Sequence, residues 1–301
     1  MRPQNLLHRP LSTQKCTLGC PILDRCIGGG IPCNSITELV AESGSGKTQL
    51  CLQLSLSAQL PTSHGGLSAS SLYLHTEFPF PFRRLRQLST AFCNSNSALL
   101  ASNDHNPCDH IFVRSIHSVD QLLDEMPKIE SFIKNSKSRL PVRLIVIDSI
   151  AALFRSDFEN TLGHLKKRSS LFFKISGKLK AMAVGFGLAV VVTNQVVDLV
   201  APNEGINGLR IGNLGCLYSS GRQVCPALGL AWANCVNSRL FLSRNEEYVS
   251  EEHQIENDSG EDFVRRRTIR RLCVVFAPHL PDSFCEFETT REGVFGIQKQ
   301  W

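Results

Sequence analysis

Residues 41–48 carry the clearest chemical signal in the chain. They lie between an apolar run at 36–40 and a helix-like run at 49–54. A glycine-rich turn in that position points its backbone N–H groups inward, where they can surround a polyphosphate at the positive end of the helix. Lys47 can reach the β- and γ-phosphates, and Thr48 can ligate Mg²⁺. The sequence therefore predicts a phosphate-binding loop made of Ala41, Glu42, Ser43, Gly44, Ser45, Gly46, Lys47 and Thr48.

One position of this loop departs from the pattern Gly-x-x-x-x-Gly-Lys-[Ser/Thr]. Ala41 stands where the first glycine is usual. Gly44 and Gly46 keep most of the backbone freedom that the loop needs. The alanine could loosen the geometry that catalysis requires. The alternative is a chance Gly/Ser loop, but the strand, the Gly-Lys-Thr sequence and the helix fall in register, which favours the phosphate loop.

Asp148, Glu77 and Gln195 each stand at the end of a further apolar, strand-like run. The carboxyl ends of parallel strands open onto the crevice where such sheets bind ligands. Asp148 can hold Mg²⁺ there through water, with Thr48 on the other side. Glu77 can polarise the water that attacks a γ-phosphate. Gln195 can bond that phosphate or water and relay its state to the following loop. Each could instead be an ordinary polar strand end.

Three arginines, Arg83, Arg84 and Arg86, open a helix just after Glu77. A guanidinium in this position can stack on a nucleobase. A solvated helix face is the competing interpretation, and the sequence leaves both open.

Short apolar runs alternate with helical stretches, which predicts a mainly parallel sheet covered by helices on both faces. Residues 196–224 contain few periodic apolar residues and predict a long loop. An acidic and then basic segment at 244–267 predicts the solvated tip of a hairpin. We expect strands at 36–40, 71–76, 110–114, 143–148, 188–193, 237–242, 268–276 and 283–289, and helices at 19–27, 47–60, 82–92, 118–134 and 168–184.

Bulk composition sets wider limits. The chain has 301 residues, is 42% hydrophobic and carries a formal net charge of +5, which permits an anionic partner without demanding one. Its 12 cysteines include no C-x-x-C pair and follow no secretory signal, so we expect reduced thiols in an intracellular protein and no zinc site. No apolar run approaches the ~18 residues of a membrane span. Residues 1–16 are expected to be a disordered tail, or else a targeting segment.

Taken together, these motifs resemble the core of the RecA-like recombinases. The phosphate loop is followed in order by Tyr-Leu-His-Thr-Glu at 73–77, Leu-Ile-Val-Ile-Asp-Ser at 144–149 and Val-Thr-Asn-Gln-Val at 192–196. Residues 19–31, 226–234, 277–281 and 292–294 are similar to segments of the eukaryotic recombinase paralogues. The resemblance covers about residues 17–298.

The resemblance implies a RecA-like ATPase domain over residues 17–301, with C-terminal antiparallel strands and without the small N-terminal helical domain and linker strand of full-length recombinases. Filament formation by this chain alone is then less expected. ATP and Mg²⁺ would be the cofactors, with Lys47, Glu77 and Gln195 in catalytic roles, Asp148 linked to the metal and Arg84 at the adenine. The family's two DNA-facing loops would map to about 155–168 and 197–224, and the basic residues assigned to them are Lys166, Lys167, Arg168, Arg210 and Arg222.

The implied function is an ATP-binding DNA repair protein of the nucleus, with cytoplasm as a second location. It would assist homologous recombination of double-strand breaks and meiotic recombination, as a heteromer with a related paralogue and alongside the main strand-exchange recombinase. DNA would be bound without sequence preference, as single strands and junction-like forms. ATP turnover would be weak and DNA-dependent. The alternative is a repair scaffold whose bound nucleotide is structural.

Overall fold

A large mixed sheet organises the chain. The computed structural model describes residues 13–99, 106–136, 139–155, 161–199, 217–250 and 264–298. The strands are β1 (Lys15–Cys16), β2 (Ile31–Pro32), β3 (Ser35–Ala41), β4 (Ser70–His75), β5 (Ile111–Ser115), β6 (Val142–Asp148), β7 (Ala189–Asn194), β8 (Val196–Asp198), β9 (Leu217–Ser219), β10 (Arg222–Pro226), β11 (Ser238–Ser250), β12 (Val264–Phe276), β13 (Phe284–Thr289) and β14 (Val294–Gly296). Within the described ranges, the large sheet has nine strands in the order β14-β13-β12-β11-β3-β7-β6-β4-β5, parallel from β11 to β5 and antiparallel from β11 to β14.

Helices cover both faces of this sheet. Single-turn 3₁₀ segments lie at Thr62–His64, Pro107–His110 and Ala151–Phe154. The α-helices are α1 (Pro21–Cys26), α2 (Lys47–Ser57), α3 (Phe82–Ser95), α4 (Val119–Asn135), α5 (Leu162–Phe186) and α6 (Gly229–Ala233). These findings confirm the predicted fold class, a RecA-like α/β core with C-terminal antiparallel strands.

Two apolar cores lie on opposite faces of the sheet because side chains alternate along each strand. In β6, Leu144 and Val146 belong to the core under α1–α3, whereas Ile145 and Ile147 belong to the core under α4–α6. Strands buried on both faces read as continuous apolar runs. That is why β6 and β7 were visible in the sequence.

The segment 196–224 was predicted as one loop, and its ends form a small sheet instead. Strand β10 pairs antiparallel with both β8 and β9. Ser220 and Gly221, with φ of 51° and 72°, make the two-residue turn between β9 and β10. Positive φ at both turn residues matches the twist of the hairpin. The strands are too short for their alternation to stand out, although the Ser-Gly pair is a turn signal. Residues 200–216 lie outside the described residues.

The charged segment at 244–267 is strand at both of its ends, over residues 244–250 and 264–267. Strands β11 and β12 continue their antiparallel pairing as far as Ser250 and Val264. The hairpin prediction was therefore right, but its strands are longer than their apolar parts. Charged side chains on paired strands outside the core give no apolar alternation, so the sequence pattern ended early. The tip at 251–263 lies outside the described residues.

Two other boundaries differ from the prediction. Helix α5 begins at Leu162 rather than at 168, capped by the Thr161 side chain, which accepts from the backbone N–H of His164. Strand β1 lies inside the segment 1–16 that was predicted as a tail, where Lys15 and Cys16 pair with β2. No helix in the described ranges combines the length and the apolar character that crossing a membrane requires.

Candidate functional site

The predicted phosphate loop connects β3 to α2. Gly44 and Gly46 have φ of 79° and 104°, in the left-handed region that glycine adopts without strain. Gly46 is the residue before the first turn of α2. The first N–H groups of a helix have no partner within it, so they face the loop. The backbone at this end of β3 thus has the conformation that an anion-binding turn requires.

Lys47 lies at the start of α2 with its side chain folded towards the loop. Its Nζ donates to the carbonyl oxygens of Ala41 at 2.6 Å and Glu42 at 2.9 Å. Burial lowers the pKa of Lys47, while the carboxylates of Asp148 and Glu77 act in the opposite direction. The ammonium group is thus held at the loop, among acids that favour its charge.

Asp148, at the end of β6, accepts hydrogen bonds from three hydroxyl groups. Its Oδ2 accepts from Thr48 Oγ1 at 2.7 Å and from the Tyr73 hydroxyl at 2.7 Å, and its Oδ1 accepts from Thr193 Oγ1 at 2.6 Å. Burial and the Asp148 charge raise the pKa of Tyr73, which keeps that hydroxyl protonated as a donor. Thr48 and Asp148, which were predicted to lie on two sides of a Mg²⁺ ion, are hydrogen-bonded directly to each other here.

Tyr73 and Thr193 were missed by the sequence analysis. Tyr73 lies within an apolar strand and reads as a core aromatic residue, which it also is, with 1% of its surface exposed. Thr193 follows the β7 valines and could have been suspected, because neighbouring parallel strands end at the same edge.

Glu77 and Gln195 meet although they follow different strands. Gln195 Nε2 donates to Glu77 Oε1 at 2.8 Å. Arg155 Nη2 lies 3.7 Å from the same oxygen, as an ion pair. Asn194 supports this arrangement, because its Oδ1 accepts from the backbone N–H of Gln195 at 2.8 Å. The predicted water-activating acid and the predicted sensor are thus in direct contact.

One cavity of about 980 Å³ is lined by Lys47, Asp148, Glu77 and Gln195. Its walls come from the phosphate loop, from the ends of β4, β6 and β7, and from the C-terminal strands. Among the predicted residues, the lining includes Glu42, Ser43, Gly44, Gly46, Lys47, Thr48, Glu77, Arg84, Asp148, Gln195 and Arg222.

The cavity fits a magnesium–nucleotide complex. The Ser45 hydroxyl is buried without a hydrogen-bond partner among the described residues, as expected where an oxygen-rich ligand belongs. No group of three His, Cys, Asp or Glu side chains suited to a metal occurs in the described part of the chain. Mg²⁺ takes one or two protein oxygens and completes its shell with phosphates and water. Thr48 and Asp148 are the residues that would hold it.

Two residues of the predicted binding set are held by contacts that the sequence did not reveal. Ala41 is fully buried in the core at the end of β3, beside Leu242 of β11, so its methyl group fits there and only its carbonyl oxygen serves the site. The Arg84 side chain is fixed by four hydrogen bonds, to the side chains of Gln49 and Gln87, each at 2.6 Å, and to the carbonyl oxygens of Thr290 and Arg291, each at 2.7 Å. Its guanidinium plane is therefore oriented at the cavity wall.

The basic residues predicted to contact DNA fall into separate places. Lys166 and Lys167 are exposed, on helix α5 rather than in a loop. Arg168 is half-buried, with its guanidinium 5.4 Å from the centre of the Phe172 ring and Nη2 3.3 Å from the carbonyl oxygen of Leu228. Arg210 lies outside the described residues.

Arg222 belongs to a polar cluster that joins β10 to the phosphate loop. Its guanidinium contacts Glu42 at 3.0 Å and Asp198 at 2.9 Å. Glu42 also accepts from Ser219 Oγ at 2.7 Å and from the Ser220 hydroxyl. Burial raises the pKa of Glu42, but these hydrogen bonds and the arginine outweigh it and lower the pKa below its usual value. We call these five residues the clasp.

Comparison with known proteins agrees with this geometry. The chain is 60% identical over 298 residues to the DNA repair protein XRCC3 homolog of Arabidopsis thaliana, covering 99% of this chain and 98% of that protein. It is 35% identical to the DNA repair protein XRCC3 of Mus musculus, over 96% of this chain and 77% of the relative. The DNA repair protein RAD51 homolog 2 of Mus musculus is 33% identical, over 77% of this chain and 65% of its own length.

A model of the Rad51 family matches residues 11–208, which include the phosphate loop and the strand ends that carry Glu77, Asp148 and Gln195. The match covers more than half of the chain, and the two XRCC3 relatives cover nearly all of it. The chain belongs to the Rad51 family.

Proposed function

We propose that this chain is an ATP-binding DNA repair protein that assists homologous recombination. The bond between Thr48 and Asp148 carries the proposal, because it joins the two predicted Mg²⁺ ligands beside Lys47 in one cavity. The names of the relatives support the repair role. We further propose a nuclear location, action on double-strand breaks and in meiotic recombination, and assembly with a related recombinase paralogue that supports the main strand-exchange recombinase.

The side chains have distinct tasks in this proposal. Bound ATP with Mg²⁺ supplies an activated γ-phosphoryl group. Lys47 would leave the loop carbonyls for phosphate oxygens, and the loop N–H groups would bind the same chain of phosphates. Thr48 and Asp148 would position the metal, with Tyr73 and Thr193 fixing the carboxylate. Glu77, steadied by Gln195, would accept a proton from water at its carboxylate.

DNA binding is the less localised part of the proposal. Lys166 and Lys167 are exposed on α5. Arg222 lies on β10, the second strand after the segment 200–216, in which Arg210 is found. Such basic groups can follow a phosphate backbone without reading sequence, with an affinity that falls as salt rises. Arg222 could serve DNA only by leaving or sharing its clasp acids.

Replacing Lys47 by alanine tests the nucleotide site. We expect Lys47→Ala to abolish detectable ATP binding, because the loop loses its only ammonium group and the phosphates lose a charge-assisted partner. Isothermal titration with Mg-ATP measures the binding, and co-purification with related paralogues measures assembly. Lys166→Ala, an exposed lysine on α5, is the matched control and should bind ATP normally.

The two candidate functions diverge in this experiment. A nucleotide-dependent mediator loses both ATP binding and partner exchange in the Lys47→Ala variant. If the wild-type protein binds Mg-ATP but shows no turnover with DNA, and the variant still supports repair normally, the repair-scaffold alternative is correct instead.

A further inference from the structure

Two arginines of the C-terminal hairpin lie beside the phosphate loop. Arg244 of β11 and Arg270 of β12 are directly opposite each other in the antiparallel pairing. Arg270 lines the cavity. Nη1 of Arg244 lies 3.1 Å from the point that a Cβ atom on Gly44 would occupy. The hairpin therefore brings two guanidinium groups to the loop from the side of the sheet away from Asp148.

The charges of this pair are poorly balanced. Across the described ranges, the Nε atoms of Arg244 and Arg270 are buried without a hydrogen-bond partner. Nη2 of Arg244 forms an ion pair with Oε1 of Glu246 at 2.9 Å. Burial lowers the pKa of Arg270, and the positive charge of Arg244 lowers it further. Like charges facing each other across strands are unfavourable, and so are buried donors without acceptors.

Two hydroxyl groups at the phosphate loop, those of Thr289 and Ser45, also lack partners among the described residues. Thr289 lines the cavity with Arg270, and its Oγ1 lies 3.6 Å from the Cβ position of Gly46. Both hydroxyls are buried. Four groups with N–H or O–H hydrogens to donate thus lie in the loop or beside it. An anion with several oxygens is the ligand that would satisfy them.

We propose that Arg270, with Arg244 beside it, is a second anion-binding arm of the site and bonds the oxygens of a polyphosphate chain. The inference rests on the proposed nucleotide function and extends it, because it names a residue outside the phosphate loop. The ligand class is a nucleoside di- or triphosphate, recognised by its phosphates. Binding would then tie the C-terminal hairpin to the loop through the ligand.

The affinity test compares Arg270→Gln with Arg267→Gln. Both changes remove one positive charge from β12, but Arg267 is exposed and faces Glu247 of β11. Titration with inorganic tripolyphosphate and with Mg-ATP at fixed salt measures the effect. We expect Arg270→Gln to lower the affinity for both ligands by about 10- to 100-fold, which is the effect of losing one charged hydrogen-bonding partner. Arg267→Gln should leave both affinities unchanged.

Thermal unfolding separates ligand binding from a structural role. Removing one of two opposed arginines relieves repulsion, so the melting temperature of unliganded Arg270→Gln should equal or exceed that of the wild type. The rise in melting temperature on adding tripolyphosphate should shrink in the same variant. A residue that only supported the hairpin would show a lower melting temperature without ligand.

The outcomes keep the inference apart from the proposed function. If Lys47→Ala abolishes binding while Arg270→Gln keeps wild-type affinity, the inference is overturned and the nucleotide site stands. If the wild-type protein binds neither ligand, both fail. If Arg270→Gln is less stable than the wild type, the affinity of Arg270→Lys for both ligands decides between anion binding and a structural role. A higher affinity for Arg270→Lys than for Arg270→Gln supports the anion-binding arm, and an equally low affinity overturns the inference.

Discussion

Glu38 and Glu42 flank the end of strand β3, and each pairs with an arginine in very different surroundings. Arg239 Nε lies 2.5 Å from Glu38 Oε2, with 1% and 0% of the two side chains exposed. Arg222 Nη2 lies 3.0 Å from Glu42 Oε2, with 52% and 11% exposed. The same pair of residue types is thus sealed in the sheet at one point and open to water just beyond it.

Burial decides what each pair can do. The inner pair, Glu38 with Arg239, cannot separate without leaving an unpaired charge in the core. It therefore acts as a fixed support. Glu38 also accepts from Asn194 Nδ2 at 2.7 Å, and Asn194 in turn bonds the backbone of Gln195. The outer pair, Glu42 with Arg222, is screened by water and salt, so breaking it costs little free energy. It is the part of this strand end that can respond to a ligand.

The largest effect is expected from breaking the inner pair. Arg239→Met should lower the free energy of unfolding by about 3–5 kcal/mol, because one oxygen of the buried Glu38 carboxylate loses its partner. Urea denaturation measures this. The double variant Glu38→Gln with Arg239→Met, which has no buried charge and keeps a side-chain oxygen for Asn194, should recover part of the loss. A single variant within experimental error of the wild type would contradict the assignment.

The inner pair also shows what the sequence could and could not reveal. Parallel strands buried on both faces, the phosphate loop, and the strand ends at Glu77 and Asp148 were all visible, because local pattern and turn chemistry specify them. The pairing of Glu38 with Arg239 was not. It depends on β11 lying next to β3, and no local pattern fixes which distant strand takes that position.

The site shows the same division. The phosphate-loop motif predicted Thr48, and position at a strand end predicted Asp148 and Gln195. The hydroxyl groups of Tyr73 and Thr193, which also hold Asp148, come from register between strands. The Arg222 clasp was missed for another reason. Its strands are only a few residues long, so their periodicity is too weak to read, and the contact with Glu42 joins distant parts of the chain.

A smaller effect is expected from the same substitution in the outer pair. Arg222→Met should change the free energy of unfolding by at most about 1 kcal/mol, because Glu42 keeps its serine donors and water can reach the site. The coupling between Glu42→Gln and Arg222→Met in a double-mutant cycle should fall as salt is raised from 0.1 M to 1 M, where the Debye length shortens from about 10 Å to about 3 Å. A loss as large as that of Arg239→Met would erase the contrast between the pairs.

The smallest effect follows from acid titration of the clasp. Hydrogen bonds and Arg222 hold the pKa of Glu42 below its usual value of 4.5, so the carboxylate is more acidic in the folded chain than in the unfolded one. Its contribution is therefore complete above pH 4.5 and is lost as the pH falls through the lower folded pKa. The stability difference between the wild type and Glu42→Gln, measured by urea denaturation, should be constant from pH 7 to about 5 and shrink below that. A difference that grows with acid would mean that Glu42 is held in its protonated form, which would be incompatible with an ion pair to Arg222.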